Sequence, residues 1–312
     1  MNRVRWCIAA LVLVVWTAGL AAQNLALSAE RLDDRWIIRI DDRVFTVYRF
    51  GDGQKYPYLY PVIGPLSGRS LTAECETPYP HHRSLFFGCD KVNGGNYWQE
   101  GNEQGQIVSR GPRLVYAGPE RIVLQDTCDW RRPGEAPILR DRRTLTFSAP
   151  TASLRFIDVA ITLDALVDIH IEKTNHSLFS ARMAPDLSVQ SGGVLRNAQD
   201  ARGEKNTYGV PSPWCDYSGR RCEGMEGLAI FDSPQNPWHP SPWFTRDYGF
   251  FSPTPMYWLT EAGFSIRQGD SLTVRYRVVV HSGDAQTAGI GELYEQWKKN
   301  CRQCITVIRT KT

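Results

Sequence analysis

The segment from Ser271 to Val280 alternates with almost no fault: Leu272, Val274, Tyr276, Val278 and Val280 are apolar, while Ser271, Thr273, Arg275 and Arg277 are polar. A period of two puts each set on its own face of an extended chain, so one face must be buried and the other wetted, as in an antiparallel sheet packed on one side. Trp36 to Ile40 and Val44 to Phe50, on either side of Asp41-Asp42, read as a hairpin. Leu114 to Ala117, Arg121 to Gln125, Thr144 to Ser148, Leu154 to Leu163, Ile169 to Glu172 and Leu228 to Phe231 add strands rich in β-branched and aromatic residues. Only Ala288 to Lys299, with Ile290, Leu293, Tyr294 and Trp297, has helical spacing. The expectation is an all-β fold, a large antiparallel β-sandwich with a short C-terminal helix, forming one domain over residues 23–312. Within it, residues 189–227 are the least regular stretch.

The chain has 312 residues, with 36 Lys plus Arg against 33 acidic residues, a formal +3. So weak and scattered a balance argues against a nucleic-acid partner. Arg3, Arg5, the apolar run Trp6 to Trp16 and the small residues of Ala18-Gly19-Leu20-Ala21-Ala22 have the pattern of a secretory signal over residues 1–22. The run falls short of the ~20 apolar residues of a spanning helix, and no later segment approaches that length. The expectation is a periplasmic or secreted protein with no stable membrane insertion once the signal is removed. Seven cysteines would then remain, an odd number, and an oxidising compartment favours disulfides. Cys215 and Cys222 bracket a turn that a bridge would close, whereas Cys301-Arg302-Gln303-Cys304 lacks the strand that precedes a redox motif.

Two segments depart from strand logic. The first joins Tyr56-Pro57-Tyr58-Leu59-Tyr60-Pro61 to Pro80-His81-His82-Arg83 and Asp90-Lys91-Val92-Asn93. Its prolines keep the backbone out of a central strand. If the backbone is extended, His81 and His82 point to opposite faces, and both reach one ion only if it bends. The second, Tyr208 to Trp258, holds twelve aromatics and eight of the nineteen prolines. Rigid loops carrying Trp, His, Arg and Asp make a preorganised concave site, and flat aromatic rings suit stacking on sugars; a simple cover over the sandwich end is the alternative. Between them, alternation in Asp168 to Glu172 turns His170 to solvent, while His176 follows a turn-like Thr174-Asn175. No Gly-x-Ser-x-Gly elbow, phosphate-cradling glycine loop or helical His-Glu-x-x-His is present.

Tyr-Pro-x-Leu-Tyr-Pro at 56–61, Pro-His-His-Arg-Ser-Leu-Phe-Phe-Gly at 80–88, Lys-Thr-Asn-His-Ser-Leu-Phe-Ser at 173–180, Asp-Ser-Pro-Gln-Asn-Pro-Trp-His-Pro at 232–240 and Trp-Phe-Thr-Arg-Asp-Tyr-Gly at 243–249 resemble the PmoA-related family of exported bacterial proteins. The resemblance runs in order over roughly residues 35 to 300. It implies a β-sandwich similar to the galactose-mutarotase supersandwiches and a setting in saccharide catabolism, not the methane chemistry of the family's name. Phe244 stands where the family commonly has His.

These readings lead to an exported carbohydrate-active protein, an enzyme of hydrolase, lyase or epimerase type acting on a glycoside, oligosaccharide or small sugar derivative. His81, His82 and His176 are the acid–base candidates, with Asp232 and Asp247 as carboxylates. Arg83, Lys91, Asn93, Trp214, Asp216, Tyr217, His239, Trp243, Arg246 and Tyr248 are the substrate-binding candidates. No cofactor is assigned. Two alternatives stay open: a zinc or copper site built from His81, His82, His176 and His239, and a non-catalytic carbohydrate-binding envelope protein.

Overall fold

The computed structural model describes residues 25–99 and 101–309. The secretory-signal pattern and Cys7 lie outside them, as does the side chain of Cys304. The chain opens with β1 (Leu27–Leu32), β2 (Arg35–Ile40), β3 (Arg43–Arg49), β4 (Tyr58–Val62), β5 (Leu85–Cys89) and β6 (Gln106–Ser109). It continues through β7 (Arg113–Gly118), β8 (Arg121–Arg131), β9 (Leu139–Thr151), β10 (Leu154–Ala165), β11 (Ile169–Ile171) and β12 (Ser177–Arg182). Then come β13 (Val194–Asn197), α1 (Glu204–Thr207), β14 (Trp214–Arg221), β15 (Gly224–Asp232), β16 (Trp243–Arg246) and β17 (Phe250–Pro253). The last elements are β18 (Phe264–Ile266), β19 (Ser271–Ser282) and α2 (Ile290–Arg309).

Among the described residues these strands form two large antiparallel sheets and one small pair. The eight-stranded sheet runs β1-β2-β3-β4-β5-β12-β17-β16. The nine-stranded sheet runs β13-β14-β15-β19-β10-β9-β8-β6, with β7 also on β8, and β11 pairs β18. The all-β sandwich expected from the alternation is what the chain builds. The alternating face of β19 does as its pattern requires: Leu272, Val274, Tyr276, Val278 and Val280 are all buried.

Ring contacts between the sheets fix which residues point inward. Phe179 stacks on Tyr276 at 5.0 Å, Phe87 meets Trp130 at 6.2 Å, and Phe251 meets Tyr217 at 5.4 Å. Residues an odd number of steps along the same strands, Phe86, Arg182 and Phe250, therefore turn to the opposite face of the eight-stranded sheet. The registers agree, since Phe87 lies opposite Phe179 and Arg182 opposite Phe250. Polar side chains are also sealed between the sheets. Asp141 receives two guanidinium hydrogen bonds from Arg143, at 2.7 and 2.8 Å, and one from the Trp130 indole at 2.7 Å. Tyr48 donates to Asp126 at 2.8 Å.

Two expectations need correction. Residues 189–227 are not an irregular insertion: they supply β13 and β14, which extend the nine-stranded sheet. The C-terminal helix forms as expected and packs Ile290, Tyr294 and Trp297 on Trp214, Phe231 and Val279, on the outer face of that sheet. The proposed Cys215–Cys222 bridge is absent. Cys215 is the second residue of a strand that continues to Arg221, so Cys222 stands seven residues along an extended chain, roughly 23 Å away at the rise of a strand. A disulfide requires Cα atoms within about 7 Å. Cys222 is an exposed free thiol, whereas Cys89, Cys128 and Cys215 are buried free thiols. A thiol reagent applied to the folded protein should modify Cys222 and spare those three, and mass mapping of the labelled peptides checks this.

Candidate active site

The outward faces of β16 and β17 form the floor of a cleft of about 310 Å³. Phe244, Arg246 and Phe250 rise from this floor, and Tyr79, His81, His82, Gln99, Asn175, His176 and Tyr248 close over it. The loop before β5 brings in the histidine doublet. The amide of Tyr79 donates to the Glu76 carbonyl at 2.8 Å, that of His82 to the Tyr79 carbonyl at 3.0 Å, and that of Cys75 to the His82 carbonyl at 3.2 Å. The backbone is thus bent rather than extended, and both imidazoles reach the same side, their ring centroids 4.4 Å apart.

His176 immediately precedes β12, and its ring lies 5.9 Å from that of His81. Its Nδ1 sits 2.9 Å from a carboxylate oxygen of Asp90, which is buried, and Thr174 donates its hydroxyl to the other oxygen. A carboxylate only accepts, so the Nδ1 position carries the proton and Nε2 is left to serve the cleft. The amide of His176 also donates to the Thr174 hydroxyl at 3.0 Å, which fixes the backbone below the ring.

His82 has a different character. It is sandwiched between Phe250 at 4.3 Å and Tyr79 at 5.2 Å and is buried. Burial, reinforced by His81, Arg182 and His176, holds its pKa down to about 2. His82 is therefore neutral at any physiological pH and is not a proton shuttle. The unfolded chain binds this proton below its ordinary pKa near 6.5, while the folded chain refuses it down to about 2. Stability from this group is complete above the unfolded value and falls as pH drops below it. Between pH 7 and 5 the loss should be about 2 kcal/mol, at ~1.4 kcal/mol per unit. Denaturant unfolding at both pH values should show that loss, and His82→Phe should remove it.

Stacked tyrosines line the side of the cleft away from His176. Tyr79 and Tyr248 lie 4.8 Å apart at 25°. Below Tyr248, the buried Arg182 sits 4.6 Å from its ring centroid and donates to its carbonyl at 2.7 Å. Burial raises the Tyr248 phenol well above its ordinary value, so it stays a hydrogen-bond donor. Arg246 lies 4.0 Å from the Phe244 ring centroid and pairs with Glu204 at 2.9 Å. Among the described residues, no Asp or Glu side chain lines the cleft.

A family model described as a family of unknown function (DUF6807) matches residues 35–295, which hold every one of these side chains. The chain belongs to that family. No curated protein matches this DUF6807 member. Solved structures similar to it include galactose 1-epimerase from Lactobacillus acidophilus NCFM, at 9% identity and TM-score 0.41, covering 83% of this chain and 100% of that one. A galactose mutarotase related enzyme from Lactobacillus acidophilus gives 7% identity and TM-score 0.34, over 82% and 97%. A GalM/aldose epimerase homologue from C. elegans gives 8% and 0.34, over 83% and 99%.

Of the residues singled out in this DUF6807 chain, His81, His82, His176, Arg246 and Tyr248 converge in the cleft. The others serve structure. Asp247 accepts from the Glu204 amide at 2.7 Å and anchors α1. Asp232 is buried and accepts from Asn236 at 2.7 Å and the Ser241 amide at 2.8 Å. His239 lies 3.2 Å from Asp232 and 3.3 Å from the Tyr294 hydroxyl of α2, on the nine-stranded sheet's side. Its distance from the other imidazoles removes it from the four-histidine metal site considered above. Among the described residues, no three His, Cys, Asp or Glu side chains are placed to hold a metal ion.

Trp214 packs under α2, and Asp216 meets the buried His281 at 2.7 Å. Tyr217 is buried and donates to the Arg246 carbonyl at 2.8 Å, and the buried Trp243 donates to Ser212. Arg83 lies over the Tyr58 ring at 5.6 Å. Lys91 and Asn93 are exposed: Lys91 donates to the Lys173 carbonyl, and Asn93 ties its turn to β11 by bonds to Asp168 and His170. Sequence reasoning missed Asp90, Tyr79, Gln99, Asn175 and Phe250. Asp90 had one usable signal, its place at the end of an apolar strand, where a carboxylate needs a partner.

Proposed function

We propose that the cleft is the reaction centre of a carbohydrate-active enzyme that moves protons on and off a sugar ring. The observation that carries this reading is the pair His81 and His176 facing one another at 5.9 Å, with Asp90 behind the second. One imidazole takes the proton of the anomeric hydroxyl as the bond from the anomeric carbon to the ring oxygen breaks, and the other protonates that oxygen. In an elimination, one takes the acidified C–H proton as the bond from the β-carbon to the leaving oxygen breaks, and the other protonates the leaving oxygen. Both steps suit imidazole, which can act as general base or general acid. Tyr79 and Tyr248 supply the apolar face on which a sugar lies. The PmoA-related resemblance supports the same saccharide setting, and the pattern of Arg3, Arg5 and the Trp6 to Trp16 run supports export to the periplasm or beyond.

The test is proton NMR of a panel of neutral and acidic sugars incubated with the protein in D₂O. Acceleration of anomer exchange, solvent deuterium at a ring carbon, or a new unsaturated product supports the reading, provided His176→Ala removes it. Sugar binding without turnover of any panel member would return the protein to the carbohydrate-binding alternative.

A further inference from the structure

The nine-stranded sheet carries a second concavity, of about 430 Å³, on its outer face. Its geometry follows from strand register. Arg113 lies opposite Gln125, Gln125 opposite Thr144, Thr144 opposite Ala160, and Ala160 opposite Arg275. One straight rung thus crosses β7, β8, β9, β10 and β19, with an arginine at each end and short side chains between. Four inter-strand spacings make it roughly 19 Å long. The next rung, Thr127, Arg142, Thr162 and Thr273, runs parallel to it. Beyond Arg275, Arg277 lies 4.6 Å from the Phe156 ring centroid and 5.6 Å from that of Trp297, forming a wall continuous with α2.

The charges on this face do not cancel. Asp164 is matched by Arg142, Asp158 by Arg277, and Asp129 by Arg110 and Arg140. Asp126, which also borders the trough, is buried and accepts from Tyr48 and Ser109. Arg113 donates only to the neutral Gln125, at 2.7 Å, and Arg275 has no acidic partner among the described residues. The trough therefore keeps two unneutralised guanidinium groups with hydroxyls and an amide between them.

We propose that this trough binds an acidic oligosaccharide, with its anionic groups on Arg113 and Arg275 and its hydroxyls on the intervening threonines. Guanidinium forks match carboxylate and sulfate oxygens. A single-stranded nucleic acid would bring bases that stack on aromatic side chains, and no aromatic residue lines the trough. The inference is independent of the reaction assigned to the cleft, which lies on the outer face of the other sheet.

Calorimetric titration of the full chain with hexagalacturonate tests it, with maltohexaose as the neutral control. We expect binding of the acidic sugar alone, weakened as salt rises from about 50 to 500 mM. The double variant R113Q/R275Q should bind at least ~10-fold more weakly, whereas R113K/R275K, which keeps the charge, should lose less. His176→Ala should bind as the parent does. Undiminished binding by R113Q/R275Q would overturn the proposal, as would loss of binding in His176→Ala. Failure to bind hexagalacturonate at millimolar concentration would also overturn it, as would equal affinity for a single-stranded oligonucleotide of the same charge.

Discussion

His176→Ala should lower turnover about 10²- to 10⁴-fold, the usual worth of a positioned general acid or base. The fold should survive, because the ring is a quarter exposed at the cleft edge rather than part of the core. Asp90→Asn should reproduce part of that loss. An amide in place of the carboxylate removes the acceptor that fixes the Nδ1 proton and stabilises a protonated ring. Its signature should be a lower kcat with little change in KM. His81→Ala should be comparably damaging if both imidazoles work as a pair, and the doubly substituted protein should then be little worse than either single variant. Steady-state kinetics on the substrate found in the NMR panel check all three.

The second large effect concerns stability. Asp141 and Arg143 are both buried between the sheets, and removing the carboxylate strands a guanidinium in the interior. Asp141→Ala should therefore destabilise the fold by about 3–5 kcal/mol, a penalty set mainly by the uncompensated charge left behind. The Trp130 indole loses its acceptor in the same step. Asp164→Ala is the control, since it breaks an arginine pair of the same kind with Arg142 at the surface, where such a bond is worth about 1 kcal/mol or less. Urea unfolding of both variants should show the contrast. Equal losses would mean that the interior pair is solvated far more than its burial implies.

How much of this was legible in the amino-acid order depended on whether a strand is wet on one side. β10 and β19 face the nine-stranded sheet's exposed side for much of their length, so their polar and apolar residues alternate and the pattern declares itself. Every residue of β5 and of β12 is buried, because the cleft loops cover one face and the opposing sheet covers the other. No alternation survives there, and both strands hid inside motif-like stretches. β14, with seven of its eight residues buried, was lost to the same cause.

The candidate site was legible in part for a related reason. His81, His82 and His176 stood out by lying in aromatic loops, and they do share a cleft. The proline-rich late segment was read as one unit, yet it divides between the two sides of the molecule. Phe244 and Arg246 point out from the eight-stranded sheet into the cleft, while Asp232 and His239 close the end of β15 beneath α2. The deciding fact is which sheet each strand joins, and that depends on pairings between distant residues. Asp90 was overlooked because it sits behind His176 and does not itself line the cleft.

The most direct test of the shared reaction centre is a titration of the ¹⁵N-labelled imidazoles with sugar, followed by NMR. The chain has six histidines, at positions 81, 82, 170, 176, 239 and 281, so each can be assigned by substitution. A bound sugar should move the resonances of His81 and His176 and leave those of His170, His239 and His281 where they were. Movement of His239 with His81 and His176 unperturbed would place the sugar on the other face of the molecule and contradict the account.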